Sequence, residues 1–267
     1  MANELHGKSG KVYANPLLIQ SGATTWAEQA VGGVALSTVS GPTAITTAAR
    51  ATTTAVGPNT LLMSKAVTSM NLSTYSALLY WFRSGLALTA GQMAILLDDT
   101  ALGVSPIETL NVPAMAAATW QMCLNDLAAA PLDIAIIDIA LKQVASLGNT
   151  TFDISDVYAL QGIDGAKDWS IKYNLQAAEV TGFQDTGTKR YIPGQSGWGG
   201  SFTAFKTGTP INIGAQVYMA FDEGITLGQT WMGNAIITDV SPKVSISGVV
   251  EYSYSFTGSG ALQLAIV

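Results

Sequence analysis

The chain has one histidine, His6, and one cysteine, Cys123. A Ser-His-Asp site would have to use His6. The nearest approach to a nucleophile elbow, GQSGWGG at 194–200, has Trp198 where the closing glycine belongs. The HGKS stretch (6–9) is similar to the end of a phosphate-binding loop. Ala2 stands where that loop needs its first glycine, and no strand precedes it. Zinc ligands are missing, because there is no cysteine pair and no second histidine. Asp98, Asp99, Asp133, Asp138, Asp153 and Asp156 do not follow EF-hand spacing. They read as turn formers or solvated strand positions. Lys189-Arg190 is the one adjacent basic pair and reads as a solvated turn. No catalytic residue, metal or cofactor is expected and the chain does not read as an enzyme, since acid/base or nucleophilic chemistry needs a constellation absent here.

Composition explains what the residues do instead. Only 11% of the 267 residues are charged, against roughly 25% in an ordinary chain, and mean hydropathy is +0.32. Neutral surface is easily buried in an interface, because no ion must be desolvated. Assembly is therefore expected. The net charge of −6 argues against gripping a nucleic-acid backbone. No apolar run reaches membrane-spanning length, and the opening MANELHGKSGK has no apolar core, so neither membrane insertion nor a secretory leader is expected. Cys123, inside WQMCLN, reads as a buried small hydrophobe. Trp26, Trp81, Trp120, Trp169, Trp198 and Trp231 read mostly as core, with one or two on a binding face.

The elements are almost all strands. They read at 10–14, 77–84, 91–99, 119–125, 133–142, 151–160, 168–174, 197–205, 215–221, 230–242 and 248–260, punctuated by Gly, Pro, Asn and Asp. That spacing is the pattern of sandwiches or barrels. The Thr-rich 38–60 suits exposed strands and loops better than helix. In the closing strand, Val250, Tyr252, Tyr254 and Phe256 fall on one face and Glu251, Ser253, Ser255 and Thr257 on the other. The first face is a core and the second meets water. Gly258 and Gly260 let the chain turn or pack backbone closely.

Two textures divide the chain. Residues 16–159 are Ala/Thr/Leu-rich, with four basic against nine acidic residues; the flanks are Gly-rich, with eight against nine. The flanks hold, in order, GKSGKVY, GAKDWS, EVTGF, RYIPG, GWGGSF, GNAIITDVSP and GVVEYSYSFTGSGAL. This order resembles the tail tube (major tail) protein of long-tailed bacteriophages, over about 120 residues. The resemblance implies an all-β, discontinuous tail-tube sandwich/barrel from 1–15 and 160–267, with the opening strand GKVYA beside DWSIKYN. It implies rings of identical copies, sixfold or nearly so, stacked into a conduit. DNA would pass through it without specific binding, and other tail proteins would be partners. It departs at one point: 206–221 leaves little room for the short helix the family places after the GSF strand.

The resemblance makes Glu251, Ser253, Ser255 and Thr257 candidates for the lumen or solvent face. The loop 181–197, with Gln184, Lys189, Arg190 and Tyr191, and the arm 1–9 become candidates for ring stacking. Within 16–159, TFDISDVYAL, YSALLYWFRS and the segment LNVPAMAAATWQMCLN resemble a jelly-roll, carbohydrate-binding-like module. That implies an inserted, outward-facing decoration domain. Trp26, Tyr75 and Tyr80 are its candidate contacts to a cell-surface glycan. The sequence thus reads as a virion tail protein made in the host cytoplasm. The alternatives are a carbohydrate-binding or adhesin protein, and a tail hub or terminator of related fold.

Overall fold

The computed structural model describes residues 11–30, 32–42, 46–128, 132–181, 188–206, 209–223, 229–244 and 249–266. The chain is all-β. Its strands are β1 (Lys11–Gln20), β2 (Ala27–Glu28), β3 (Val34–Ser40), β4 (Thr47–Thr53), β5 (Thr60–Met70), β6 (Ala77–Ser84), β7 (Met93–Asp98) and β8 (Glu108–Asn111). There follow β9 (Gln121–Asp126), β10 (Ile136–Gln143), β11 (Thr150–Gly162), β12 (Ala166–Glu179), β13 (Tyr191–Phe205), β14 (Gln216–Asp222), β15 (Thr230–Val244) and β16 (Val250–Ile266). The helix assigned among the described residues is one 3-10 turn, Ala101–Gly103.

The chain divides into two compact units. The first takes in the described residues of Met1–Ala14, Ile163–Thr226 and Trp231–Gln263. The second takes in those of Asn15–Gly162, Leu227–Thr230 and Leu264–Val267.

In the first unit the strands follow the order β1-β14-β15-β16-β13-β12. Val12 lies opposite Phe221, and Ile171 opposite Gly200. The expectation that GKVYA pairs beside DWSIKYN is corrected here, because β1 and β12 lie at the two ends of this order. They still share one core. Val12 is buried in it with Phe202, Phe221, Tyr254 and Phe256, and Trp169 and Ile171 pack against it. The reason is curvature: the rings of Trp169 on β12 and Phe221 on β14 come within 5.5 Å. Alternation drives this packing. Tyr254 and Phe256 are buried while Ser253 and Thr257 are exposed. Phe202 stacks on Tyr254 at 4.6 Å, and Phe221 on Phe256 at 5.0 Å.

In the second unit, two five-stranded antiparallel sheets form a sandwich. One runs β3-β4-β11-β6-β9, and the other β2-β5-β10-β7-β8. Tyr80, Phe82, Phe152 and Ile154 from the first sheet share a core with Met93, Ile95, Leu97, Ile139 and Leu141 from the second. Ala265 and Ile266, at the end of β16, pair in parallel with Met122 and Cys123 of β9. Cys123 is buried and free.

Candidate functional site

The exposed part of the first unit begins where β12 and β13 outrun the core. Up to Ile171 and back from Trp198, these strands alternate core-facing and exposed residues. From Lys172 to Glu179, and from Tyr191 to Gly197 with Pro193 set aside, every residue is exposed. The register continues all the same, from Tyr173↔Trp198 to Glu179↔Tyr191, with one irregularity between Leu175 and Ala177. The result is a two-stranded ribbon bare on both faces. It displays Tyr173 and Leu175, 62% and 57% exposed, with Val180, Tyr191 and Ile192. Its outer end is tied by Val180 N donating to Arg190 O at 2.8 Å and by a Lys189–Glu179 ion pair of 2.9 Å. Of the stacking-loop candidates, Lys189, Arg190 and Tyr191 sit at this end. Gln184 and the arm 1–9 lie outside the described residues.

The second feature is the polar face of β16 and its neighbours. Thr203 lies opposite Ser253, Ser201 opposite Ser255, and Gly199 opposite Thr257. Across the next pairing, Asp168 meets Thr203, Ser170 meets Ser201, and Lys172 meets Gly199. Residues opposite one another in a ladder share a face. These rungs therefore form a band of hydroxyls, with the Ser170 and Ser201 Oγ atoms 3.1 Å apart. Asp168 and Lys172 add a charge of each sign. Glu251, at the end of the band, pairs with Lys167 at 3.2 Å. The four face candidates thus stand together on one surface of three strands.

Behind that band, the glycines are explained by an indole. Trp198 Nε1 donates to Gly260 O at 3.0 Å. A Cβ on Gly258 would fall inside the Trp198 ring system. The Gly-x-Gly of the closing strand is thus the surface on which Trp198 lies. Gly260 also has φ +91°, a backbone conformation costly for other residues.

The aromatic candidates of the second unit are differently placed. Tyr80 is fully buried, its hydroxyl donating to Asn125 Oδ1 at 2.7 Å, so its ring offers no face to a sugar. Tyr75 is half-buried against the core. Trp26 is 5% exposed and borders a cavity of about 270 Å³, lined also by Thr24, Thr25, Ser37, Thr38 and Arg50. The three candidates do not form one aromatic platform.

The acidic residues depart furthest from expectation. Asp98, Asp133, Asp138 and Asp153 are buried, not solvated. Asp153 is held by two guanidinium groups. Arg50 reaches it at 2.6 and 2.9 Å and Arg83 at 2.6 and 2.7 Å, with Arg83 also 4.6 Å over the Trp120 ring. The Arg50 pKa is raised chiefly by this hydrogen bond, burial opposing it. Asp98 is held by its own loop, accepting from Thr100 N, Thr100 Oγ1 and Ser105 N at 2.7–2.9 Å. Sequence reasoning missed these roles because the partner of Asp153 lies 103 residues away in Arg50. Among the described residues, no three His, Cys, Asp or Glu side chains converge as a metal site. No helix there is long and apolar enough to cross a membrane.

No family model matches the sequence, and no curated protein matches it. Among solved structures, part of the chain is similar to the tail of an empty GTA particle, computed with helical refinement in C6 symmetry. The identity is 18% over 40% of this chain and 87% of that one, with a TM-score of 0.32. Likeness at that level assigns no role.

Proposed function

We propose that the chain is a structural, non-enzymatic subunit of a phage tail tube. Copies associate in rings, six to a ring, and the rings stack into a conduit for DNA. One observation carries this reading: the outer half of the β12–β13 hairpin, bare on both faces and apolar in part. A two-stranded ribbon alone in water is marginally stable. Seated on a second copy, it covers Tyr173, Leu175, Val180, Tyr191 and Ile192 and finds partners for its open edges. The hydroxyl band of β12, β13 and β16 suits a wall along which DNA moves. Each unpaired cation there would add salt-sensitive affinity and drag; Lys172 is the cation among these rungs, and the serines and threonines around it add neither.

In this reading the second unit is a jelly-roll decoration, inserted at 16–159. Its strands alternate between sheets as β4-β11-β6-β9 and β5-β10-β7-β8, which supports the jelly-roll assignment. Insertion requires the host's two ends to lie together. Ile163 N donates to Val12 O at 2.7 Å, so the strand leading into the insert and the residue following it are hydrogen-bonded.

The test is electron microscopy of the purified protein with sizing in solution. Tubes or stacked rings with regular surface projections are expected. A single ring at every concentration would assign the chain to a tail hub or terminator. A monodisperse monomer that binds a glycan array would overturn the tail reading in favour of an adhesin.

A further inference from the structure

The second unit holds a cavity of about 270 Å³ that the tail reading does not use. Leu36, Ser37 and Thr38 all line it. Consecutive strand residues point to opposite faces, so a space bordered by all three lies at the edge of β3 and not over one face. That edge is open, because β3 ends the strand order of its sheet, with β4 as its neighbour. The floor is apolar. Trp26, Ala49 and Met63 belong to the sandwich core, and Leu36 packs against it. The rim is polar. Thr25, Ser37 and Thr38 are exposed, and their hydroxyls have no hydrogen-bond partner among the described residues.

Charge sets the sign of the ligand. Arg50 lines the cavity and lies opposite Ser37 in the ladder. Its Nε and Nη2 donate to Asp153, and its Nη1 has no acceptor among the described residues. Arg83 shares the same carboxylate. Two guanidinium groups thus meet one carboxylate, which leaves this network with a surplus of one positive charge. Lys65 and Glu28, one of each sign, stand beside the cavity and offset each other. Lys65 donates from Nζ to Thr25 O at 2.9 Å, and Glu28 of β2 is opposite Met63. A guanidinium with open donors and a surplus charge selects an oxyanion, and its planar fork matches a carboxylate.

We propose that this cavity binds a small, hydroxylated carboxylate. Arg50 Nη1 donates to the carboxylate, and the surplus of one charge matches it. The rim hydroxyls and the open backbone edge of β3 take the ligand's own hydroxyls, and the apolar floor takes its carbon skeleton. The cavity falls just below the roughly 300–1,000 Å³ of ordinary ligand sites, so the ligand is compact. Two sources carry this chemistry: a sugar-acid residue of an anionic glycan, and a free hydroxy acid. The site stands independently of the tail reading.

The experiment titrates the full chain, in whatever assembly it forms, with methyl glucuronide, gluconate and methyl glucoside, read by calorimetry. A carboxylate is expected to bind once per chain with a Kd on the order of 1 mM, as suits so small a ligand. Methyl glucoside, which lacks the carboxylate, is expected to bind about tenfold more weakly or worse. Tighter binding of the glucuronide identifies a glycan residue as the ligand, and tighter binding of gluconate identifies a free acid; either supports the proposal. Ser37→Asp sets a negative charge beside Arg50 at an exposed position. It is expected to weaken carboxylate binding about tenfold or more, with the melting temperature within about 2 °C of the parent's. The proposal is overturned if neither carboxylate binds at tens of millimolar, if the glucoside binds as tightly as the carboxylates, or if Ser37→Asp binds them as the parent does. If Ser37→Asp does not fold, Thr24→Asp, in the exposed segment before β2, takes its place with the same expected loss.

Discussion

At Gly258 and Asp153, single atoms decide stability. The Trp198 indole occupies the place of a side chain on Gly258. Gly258→Ala should force Trp198 out of its edge-on packing against Phe256 and weaken its bond to Gly260 O. Overpacking of this kind costs about 1–3 kcal/mol, readable as a lower midpoint in urea unfolding. Asp153 is a buried charge with two cationic partners. Asp153→Ala leaves Arg50 and Arg83 facing each other without a counterion. A loss of about 3 kcal/mol is expected, and Arg50→Ala in that background should cost less than it does alone. If the two changes are additive, the three groups do not act as one network. Neither role could be read from residue type. An aspartate in a strand is ordinarily a solvated position, and only the arrival of β4 and β6 on either side of β11 supplies the two arginines.

At the scale of elements, the ribbon of β12 and β13 separates folding from assembly. Its outer half lies beyond the aromatic core. Changing Tyr173 and Leu175 together to aspartate should therefore leave the melting temperature of the isolated chain within about 2 °C of the parent's, since surface changes move stability little. The same change should abolish tubes, because it places two charges where a second copy would have to bury them. Intact tubes from this variant would show that the ribbon is not the contact. Strands with bulky apolar runs were legible in the sequence: 77–84 reads as a strand with the bounds it has in β6. The Thr- and Ala-rich strands were less so. β4 faces the core through Ala49 and Ala51, and alanine carries little strand signal. β2, β5 and β8 escaped the sequence reading. The ribbon escaped it as well, since the residues of its outer half look like any hairpin until the end of the core is known.

At the scale of the whole molecule, the question is whether the first unit depends on the second. The bond from Ile163 N to Val12 O spans the point where 16–159 would be removed. Replacing 16–159 by a short linker should give a chain that still folds, with the near-ultraviolet signal of its stacked aromatics retained. Under the tail reading it also forms tubes, now without projections. A chain that no longer folds would show that the boundaries are misplaced or that the first unit needs the second.

Periodicity and composition by themselves determined that the chain is all-β, which side of β16 is apolar, and that its surface carries little charge. These are local properties, set by neighbours along the chain and by the two-residue repeat of a strand. Tertiary structure alone decided that β1 and β12 end one order of strands rather than pair, that Trp198 lies on Gly258, and that Asp98, Asp133, Asp138 and Asp153 are buried. Each of these depends on contacts between residues distant in sequence. Such contacts are chosen by how sheets curl and by what fills the space between them, and no local pattern encodes that choice.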